Sequence, residues 1–315
     1  MVEILLWSSM FIGTLVVLIY ASDYFIEAAE SIGLSMGIPS FIIGVTIVAL
    51  GTSIPELASS IVAVQRDSSE IVVSNVVGSN ITNIFLVLGV VVLITKRRTL
   101  IMASATTDVL LLVGSAILLI IASLDGMFLW YEALFCLVGL VLYMLGQYRN
   151  FKKQEMTDVV NPPFQWKNIL VLALAIVAIY FAAEYNIESI IQLSAILGIG
   201  KEYIALSAVA LGTSLPELFV SVGAIRKGKL EIAVGNLLGS NILNVLVVMG
   251  IPGLMSSLII PDIVLSYGLF LMAIATFMLF LLLWRKRLPL WSGFILLALY
   301  GYFFYVLISQ NMAAA

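Results

Sequence analysis

The decapeptide VALGTSIPEL, beginning at Val48, returns 161 residues later as VALGTSLPEL, beginning at Val209. In that register, and without a gap, 22 of the 42 positions from 48 to 89 are identical to their counterparts. These include Asn75 with Asn236, the GSNI at Gly78 with that at Gly239, and Asn83 with Asn244. Chance does not produce such a match, so the second half of the chain must repeat the fold of the first. The register reaches back more weakly, pairing Asp23 with Glu184 and Glu27 with Glu188.

What each half folds into follows from how little of it can face water. Of the 315 residues 62% are hydrophobic and 10% charged, against about a quarter charged in soluble domains. Apolar stretches of the length a bilayer demands, roughly 20 residues, recur along the chain. They predict ten spans, at 4–33, 40–65, 71–94, 101–122, 127–147, 168–197, 202–225, 230–254, 263–284 and 289–309. The expected fold is an all-α membrane protein of ten transmembrane helices. Its units are a first five-helix repeat at 1–147, a linker at 148–167 broken by Pro162 and Pro163, and a second five-helix repeat at 168–315. Five is odd, so the second repeat enters the bilayer from the opposite side and the repeats are inverted. The first span carries Asp23 and Glu27 and has neither a basic start nor an A-x-A-like cleavage site, so it reads as a mature helix rather than a signal peptide.

Basic residues orient the bundle. Thirteen of the 15 fall in the loops after spans 3, 5, 7 and 9, and only Arg66 and Lys201 lie on the other side. By the positive-inside rule the loop between spans 5 and 6 is cytoplasmic and both termini are outside, in a multi-pass cell-membrane protein. The lipid bilayer is then the principal partner, a net charge of -3 gives no reason to expect nucleic acid, and the chain closes its own pseudo-symmetric site, as a functional monomer would. The single cysteine, Cys136, excludes an intrachain disulfide, and the absence of histidine excludes Ser/His hydrolysis and HExxH zinc chemistry. No enzyme activity and no cofactor are expected.

Glu56 and Glu217 fall near the centres of apolar spans, where an unpaired carboxylate costs at least about 2.5 kcal/mol. Each follows Gly-Thr-Ser-x-Pro. Proline removes a backbone donor and clashes with the preceding turn, so carbonyls near Ala49 and Thr52, and near Ala210 and Thr213, are expected to be released from helical bonding. Thr52, Ser53, Thr213 and Ser214 add hydroxyls at the same level. An all-oxygen, doubly anionic cage suits hard cations, and calcium and sodium better than magnesium with its strict octahedron. Two carboxylates balance one calcium or two sodium ions, and competition at an alternating-access site gives exchange.

In the following span Asn75, Ser79 and Asn83 are spaced by four, as are Asn236, Ser240 and Asn244, which lines each set along one helical face. The stripes could serve the cage or simply hydrogen-bond neighbouring helices, with Gly78 and Gly239 allowing close packing. Asp23, Glu27, Glu184 and Glu188 could line an ion path or sit at an interface. Asp108 has no acidic counterpart in the second half.

The doubled motif, GTS-x-PE followed by GN-x-x-GSN-x-x-N with Ser74 in place of its first glycine in the first copy, resembles the cation/calcium exchanger superfamily and its prokaryotic sodium/calcium exchanger branch. The resemblance covers nearly the whole chain. It implies that Glu56 and Glu217 bind calcium with the Thr52 and Thr213 carbonyls. Sodium would use the same glutamates, the side chains of Thr52, Ser79, Thr213 and Ser240, and the Ala49 and Ala210 carbonyls. It also implies that Asn83 and Asn244 complete the centre, with Ser53 and Ser214 beside it. Some members carry aspartate at position 244, and the asparagine here argues against the potassium-dependent branch. The expected function is sodium/calcium antiport. The alternative is a proton-driven exchanger, or one for another divalent cation, on the same fold. A channel, an intramembrane enzyme or a scaffold explains the inverted duplication less well.

Overall fold

A chain dissolved in lipid must satisfy its backbone polar groups internally, which for one with this pattern means helices. The computed structural model describes residues 2–35, 49–95, 105–152, 163–226, 228 and 230–314, almost all of them helical. In the first half they form α1 (Val2–Ser35), α2 (Ala49–Thr52), α3 (Ile54–Gln65), α4 (Glu70–Ile94), α5 (Ala105–Ser123) and α6 (Trp130–Lys152). The second half supplies α7 (Trp166–Leu197), α8 (201–213), α9 (Leu215–Arg226), α10 (230–255), α11 (Val264–Trp284) and α12 (Leu290–Ala314). With α2–α3 and α8–α9 each read as one interrupted rod, ten rods follow one another among the described residues. Among the described residues eight helices are long and apolar enough to cross a membrane, and Ile54–Gln65 and Val109–Ser123 are shorter apolar ones. The starts of the spans expected from 40 and from 101, and half of the expected linker, lie outside the described residues.

The offset of 161 residues read from the sequence is also an offset of structure. Ala49–Thr52 and Ile54–Gln65 recur as Ala210–Thr213 and Leu215–Arg226, with the same interruption at Ser53 and at Ser214. The equivalent helices α1 and α7 pack along each other in opposite directions. Ser31, late in α1, accepts from Asn168, early in α7, at 2.7 Å, and Thr14 accepts from Asn186 at 2.9 Å. Antiparallel equivalents are what inverted repeats require.

Loops separated by two rods gather at one end of the bundle. Met127 and Phe128 pair antiparallel with Ile259 and Leu258, and the Ile259 N–H donates to Ser69 Oγ at 3.2 Å. Lys201 Nζ donates to Ser68 Oγ at 3.0 Å and lies 3.6 Å from a Glu70 carboxylate oxygen. Arg66, the last residue before this end, clamps α7 through Glu184 at 2.7 Å and Glu188 at 3.7 Å. The lysine and arginine found here are the two that the charge count assigned to the sparsely basic side.

Helices α4 and α10 are the most enclosed, α1, α6 and α7 the most peripheral. Without a hydrophobic drive between helices in lipid, close approach depends on small residues. At Gly78 a Cβ would sit 2.7 Å from the Ala210 Cβ and against the Leu206 carbonyl, so only glycine lets α4 meet α8 this closely. Gly78→Ala should therefore force the two halves apart at their contact. Overpacking of this kind costs about 1–3 kcal/mol, to be seen as a lower melting temperature of the detergent-purified protein, whereas Gly114→Ala, with open space around it, should leave the melt unchanged.

Candidate functional site

The interruption in each half has a chemical consequence. Ser53 (φ -90°, ψ 7°) and Ser214 (φ -83°, ψ 1°) leave helical geometry, and the chain restarts with Pro55 or Pro216 as the second helical residue, where a missing N–H goes unnoticed. A new helix N-terminus is thereby made inside the bundle, and Glu56 and Glu217 lie in its first turn. That end of a helix carries partial positive charge and favours carboxylates.

Both glutamates are fully buried, at 0% exposure, and none of their four carboxylate oxygens has a hydrogen-bonding partner of good geometry among the described residues. Hydroxyls lie within electrostatic reach: Thr213 interacts with Glu56, Thr52 and Ser240 interact with Glu217, and the two carboxylates are close enough to repel. Each half thus lends a threonine to the other half's acid. The helices cross in the same sense, α3 packing on the turn Asn244–Met249 of α10 and α9 on the turn Asn83–Val87 of α4. Those two turns are π-helical, and each begins at the last asparagine of its stripe. A π turn widens the helix and re-aims one side chain, and such turns concentrate at functional sites.

Around the acids, the Ser53 and Ser214 hydroxyls, both polar atoms of the Asn83 amide and the Asn244 Oδ1 are buried without a partner among the described residues. Ser240 shares a hydrogen bond of 3.2 Å with Thr52, and Ser79 donates to Asn75 at 3.5 Å. Buried polar groups without partners are rare in native interiors, so a cluster of them marks a place where something else binds. No group of three or more His, Cys, Asp or Glu side chains gathers among the described residues. A cation held here meets two carboxylates and otherwise neutral oxygens.

Several expectations are redrawn by the geometry. The Ala210 carbonyl keeps a helical bond, accepting the Ser214 N–H at 3.1 Å. Proline deprives the carbonyl four residues before it, which is that of Gly51 or Gly212, and Ala210 retains only a second lone pair for an ion. Ala49 begins α2 as Ala210 begins the corresponding segment. Asn75 and Asn236 bond across the halves: Asn75 accepts from Thr213 at 3.4 Å and Asn236 from Thr52 at 3.5 Å. Of the four outer acids, Glu184 and Glu188 serve the Arg66 clamp, and Asp23 and Glu27 are exposed on α1. Asn80 and Asn241, within the doubled GSN but off the fourfold-spaced face, escaped the sequence reading. In the structure the Asn244 amide donates to Asn80 Oδ1 at 3.1 Å, and Asn80 donates to the Asn241 carbonyl at 3.4 Å.

With this geometry in view, the sodium/calcium exchanger protein family matches residues 7–149 and, again, residues 167–309. The chain belongs to that family. Its relatives include the sodium/calcium exchanger MaX1 of Methanosarcina acetivorans, 32% identical over 93% of this chain and 96% of that protein. The inner membrane protein YrbG of Escherichia coli is 29% identical over 90% of each chain. A solved structure of the sodium-calcium exchanger NCX_Mj, soaked with sodium and strontium, superposes with a TM-score of 0.68 and 27% identity, covering 95% of this chain and 98% of that one. As a member of the exchanger family, the chain is a multi-pass membrane protein in which two copies of one helical unit face each other.

Proposed function

We propose that the protein is a secondary antiporter, not an enzyme, that exchanges sodium for calcium across the cell membrane by alternating access at the central pair Glu56 and Glu217. The observation that carries this reading is the pair of fully buried carboxylates whose oxygens find no hydrogen-bonding partner of good geometry among the described residues. Two such carboxylates stay charged in a buried interior only with cations beside them, and two negative charges match one calcium or two sodium ions. In this reading Glu56, Glu217 and the Thr52 and Thr213 carbonyls hold calcium. Sodium uses the same acids with the Thr52, Ser79, Thr213 and Ser240 hydroxyls and the Ala49 and Ala210 carbonyls. Asn83, Asn244, Ser53 and Ser214 complete the oxygen cage, and calcium and sodium are cargo rather than cofactors. The names of relatives such as MaX1 support this choice of ions.

Inverted repeats supply the means of exposing one site to two sides, since exchanging the conformations of the two halves yields the oppositely facing form. The gathering of Arg66 and Lys201 at one end, with the basic loops elsewhere in the chain, supports both termini outside and a cytoplasmic loop between the repeats, which we place at 1–147 and 168–315 of a functional monomer.

The deciding experiment reconstitutes the purified protein in liposomes and follows calcium uptake. Loading the vesicles with sodium should accelerate uptake at least tenfold over a sodium-free control, whereas an outward proton gradient of equal size should not. Uptake that follows protons and ignores sodium would overturn the sodium assignment in favour of a proton-driven exchanger.

A further inference from the structure

The offset of 161 residues turns the Asn80–Asn244 contact into a testable asymmetry. It maps Asn80 onto Asn241 and Asn83 onto Asn244. The image of the bond from the Asn244 amide to Asn80 Oδ1 is therefore a bond from the Asn83 amide to Asn241 Oδ1. The first is made, at 3.1 Å between fully buried groups. Its image is open: the Asn83 Nδ2 and the Asn241 Oδ1 are each buried and without a partner among the described residues. Asn241 instead turns its own amide back to the Leu237 carbonyl of its helix, at 2.7 Å. All four residues are at most 3% exposed.

The two unmade ends belong together chemically, one donor and one acceptor at symmetry-related places, and a buried pair of this kind left apart is costly. We propose that Asn80 and Asn241 are positioning residues of a two-state switch, Asn80 holding Asn244 in the conformation described here and Asn241 holding Asn83 in the oppositely facing one. Each bond occupies the amide nitrogen of the asparagine it holds and leaves that residue's carbonyl oxygen turned away from the bond, as the Asn244 Oδ1 is here. The ion cage is thus offered a different oriented oxygen in each state. The inference rests on the alternating-access reading but not on the identity of the ions, and it assigns Asn80 and Asn241 a role on the switch rather than in contact with cargo.

The signature is opposite effects from equivalent substitutions. Removing one bond disfavours one state by about fivefold in population, the typical net worth of a hydrogen bond. Ser60 and Ser221 are symmetry-related buried residues, one turn beyond Glu56 and Glu217 on helices that lead toward opposite ends of the bundle. In a Cys136→Ala background, which removes the only native thiol, Ser60→Cys and Ser221→Cys report access from the two sides through their rates of modification by a water-soluble maleimide on the purified protein. Asn80→Ser, too short to reach Asn244, should shift the ratio of the two rates about fivefold in one direction. Asn241→Ser should shift it in the other, and the double variant should return it to within twofold of the starting value.

Shifts of the same sign, or no shift in folded protein, would overturn the proposal. Asn80→Asp and Asn241→Asp keep an acceptor for the partner amide and should stay within twofold of the unsubstituted ratio. A full shift in the aspartate variants overturns the proposal even if the serine variants do not fold. Because labelling needs no transport, loss of sodium-driven calcium uptake with the opposite shifts intact counts against the exchange reading alone. Absence of the shifts in a protein that exchanges counts against the switch alone.

Discussion

Replacing Glu56 or Glu217 by glutamine should abolish sodium-driven calcium uptake, lowering it at least a hundredfold, while the protein still inserts and purifies as a monodisperse species. Glutamine keeps the volume and one oxygen but removes a full negative charge from a site with no third carboxylate among the described residues. A calcium ion would then leave a net charge of about +1 in an interior where an uncompensated ion costs several kcal/mol. Three kcal/mol is already more than two orders of magnitude in occupancy. The protein itself should not suffer, because neither carboxylate has a hydrogen-bonding partner of good geometry among the described residues. Melting temperature in detergent should hold or rise as the repulsion between the two acids disappears. Uptake at the unsubstituted rate from either variant would show that the cargo is bound elsewhere.

The second large effect concerns the interruption itself. Pro55→Ala and Pro216→Ala restore an N–H able to reach the Gly51 or Gly212 carbonyl, and proline in a helix interior disfavours the helix by about 3 kcal/mol relative to alanine. Continuous helix through Ser53 or Ser214 would move Glu56 or Glu217 out of a first turn, remove the favourable helix end beneath it, and withdraw the carbonyls of the GTS segment from the cage. Uptake in liposomes should fall at least tenfold in each single variant and further in the double. Helix content by circular dichroism should stay the same or rise, which separates loss of function from loss of fold. An active double variant would mean that the break, although present in the structure, plays no part in holding ions.

The fold and the site differ in how far they can be read without coordinates. Apolar run lengths, the duplication and the count of basic residues are properties of a one-dimensional pattern, and in a bilayer that pattern is nearly sufficient. Backbone groups must be satisfied inside each segment, so a span is a helix whatever its neighbours do. Glu56 and Glu217 stood out for the same reason, since a carboxylate in an apolar run is conspicuous before any packing is known. The π turns at Asn83 and Asn244 left no such mark. Their widened geometry depends on how α4 and α10 meet the acid-bearing helices of the other half. Asn80 and Asn241 were passed over because a stripe drawn at every fourth residue presumes a regular helix. Arg66 was counted as a loop charge, and nothing in its neighbours along the chain points to Glu184, 118 residues away.

The sequence by itself therefore determined that this is a membrane protein of two inverted, homologous halves, each bringing one acid on an interrupted helix to the middle. Those facts follow from composition, periodicity and parity, which no folding step can alter. Only the tertiary structure decided which polar groups of one half face which of the other: Thr52 with Asn236, Thr213 with Asn75, and Asn244 with Asn80 while Asn83 and Asn241 stand apart. Both copies carry asparagine at each of these paired positions, so no reading of the string could break their symmetry. Packing breaks it, closing the bond from Asn244 to Asn80 and leaving its image open.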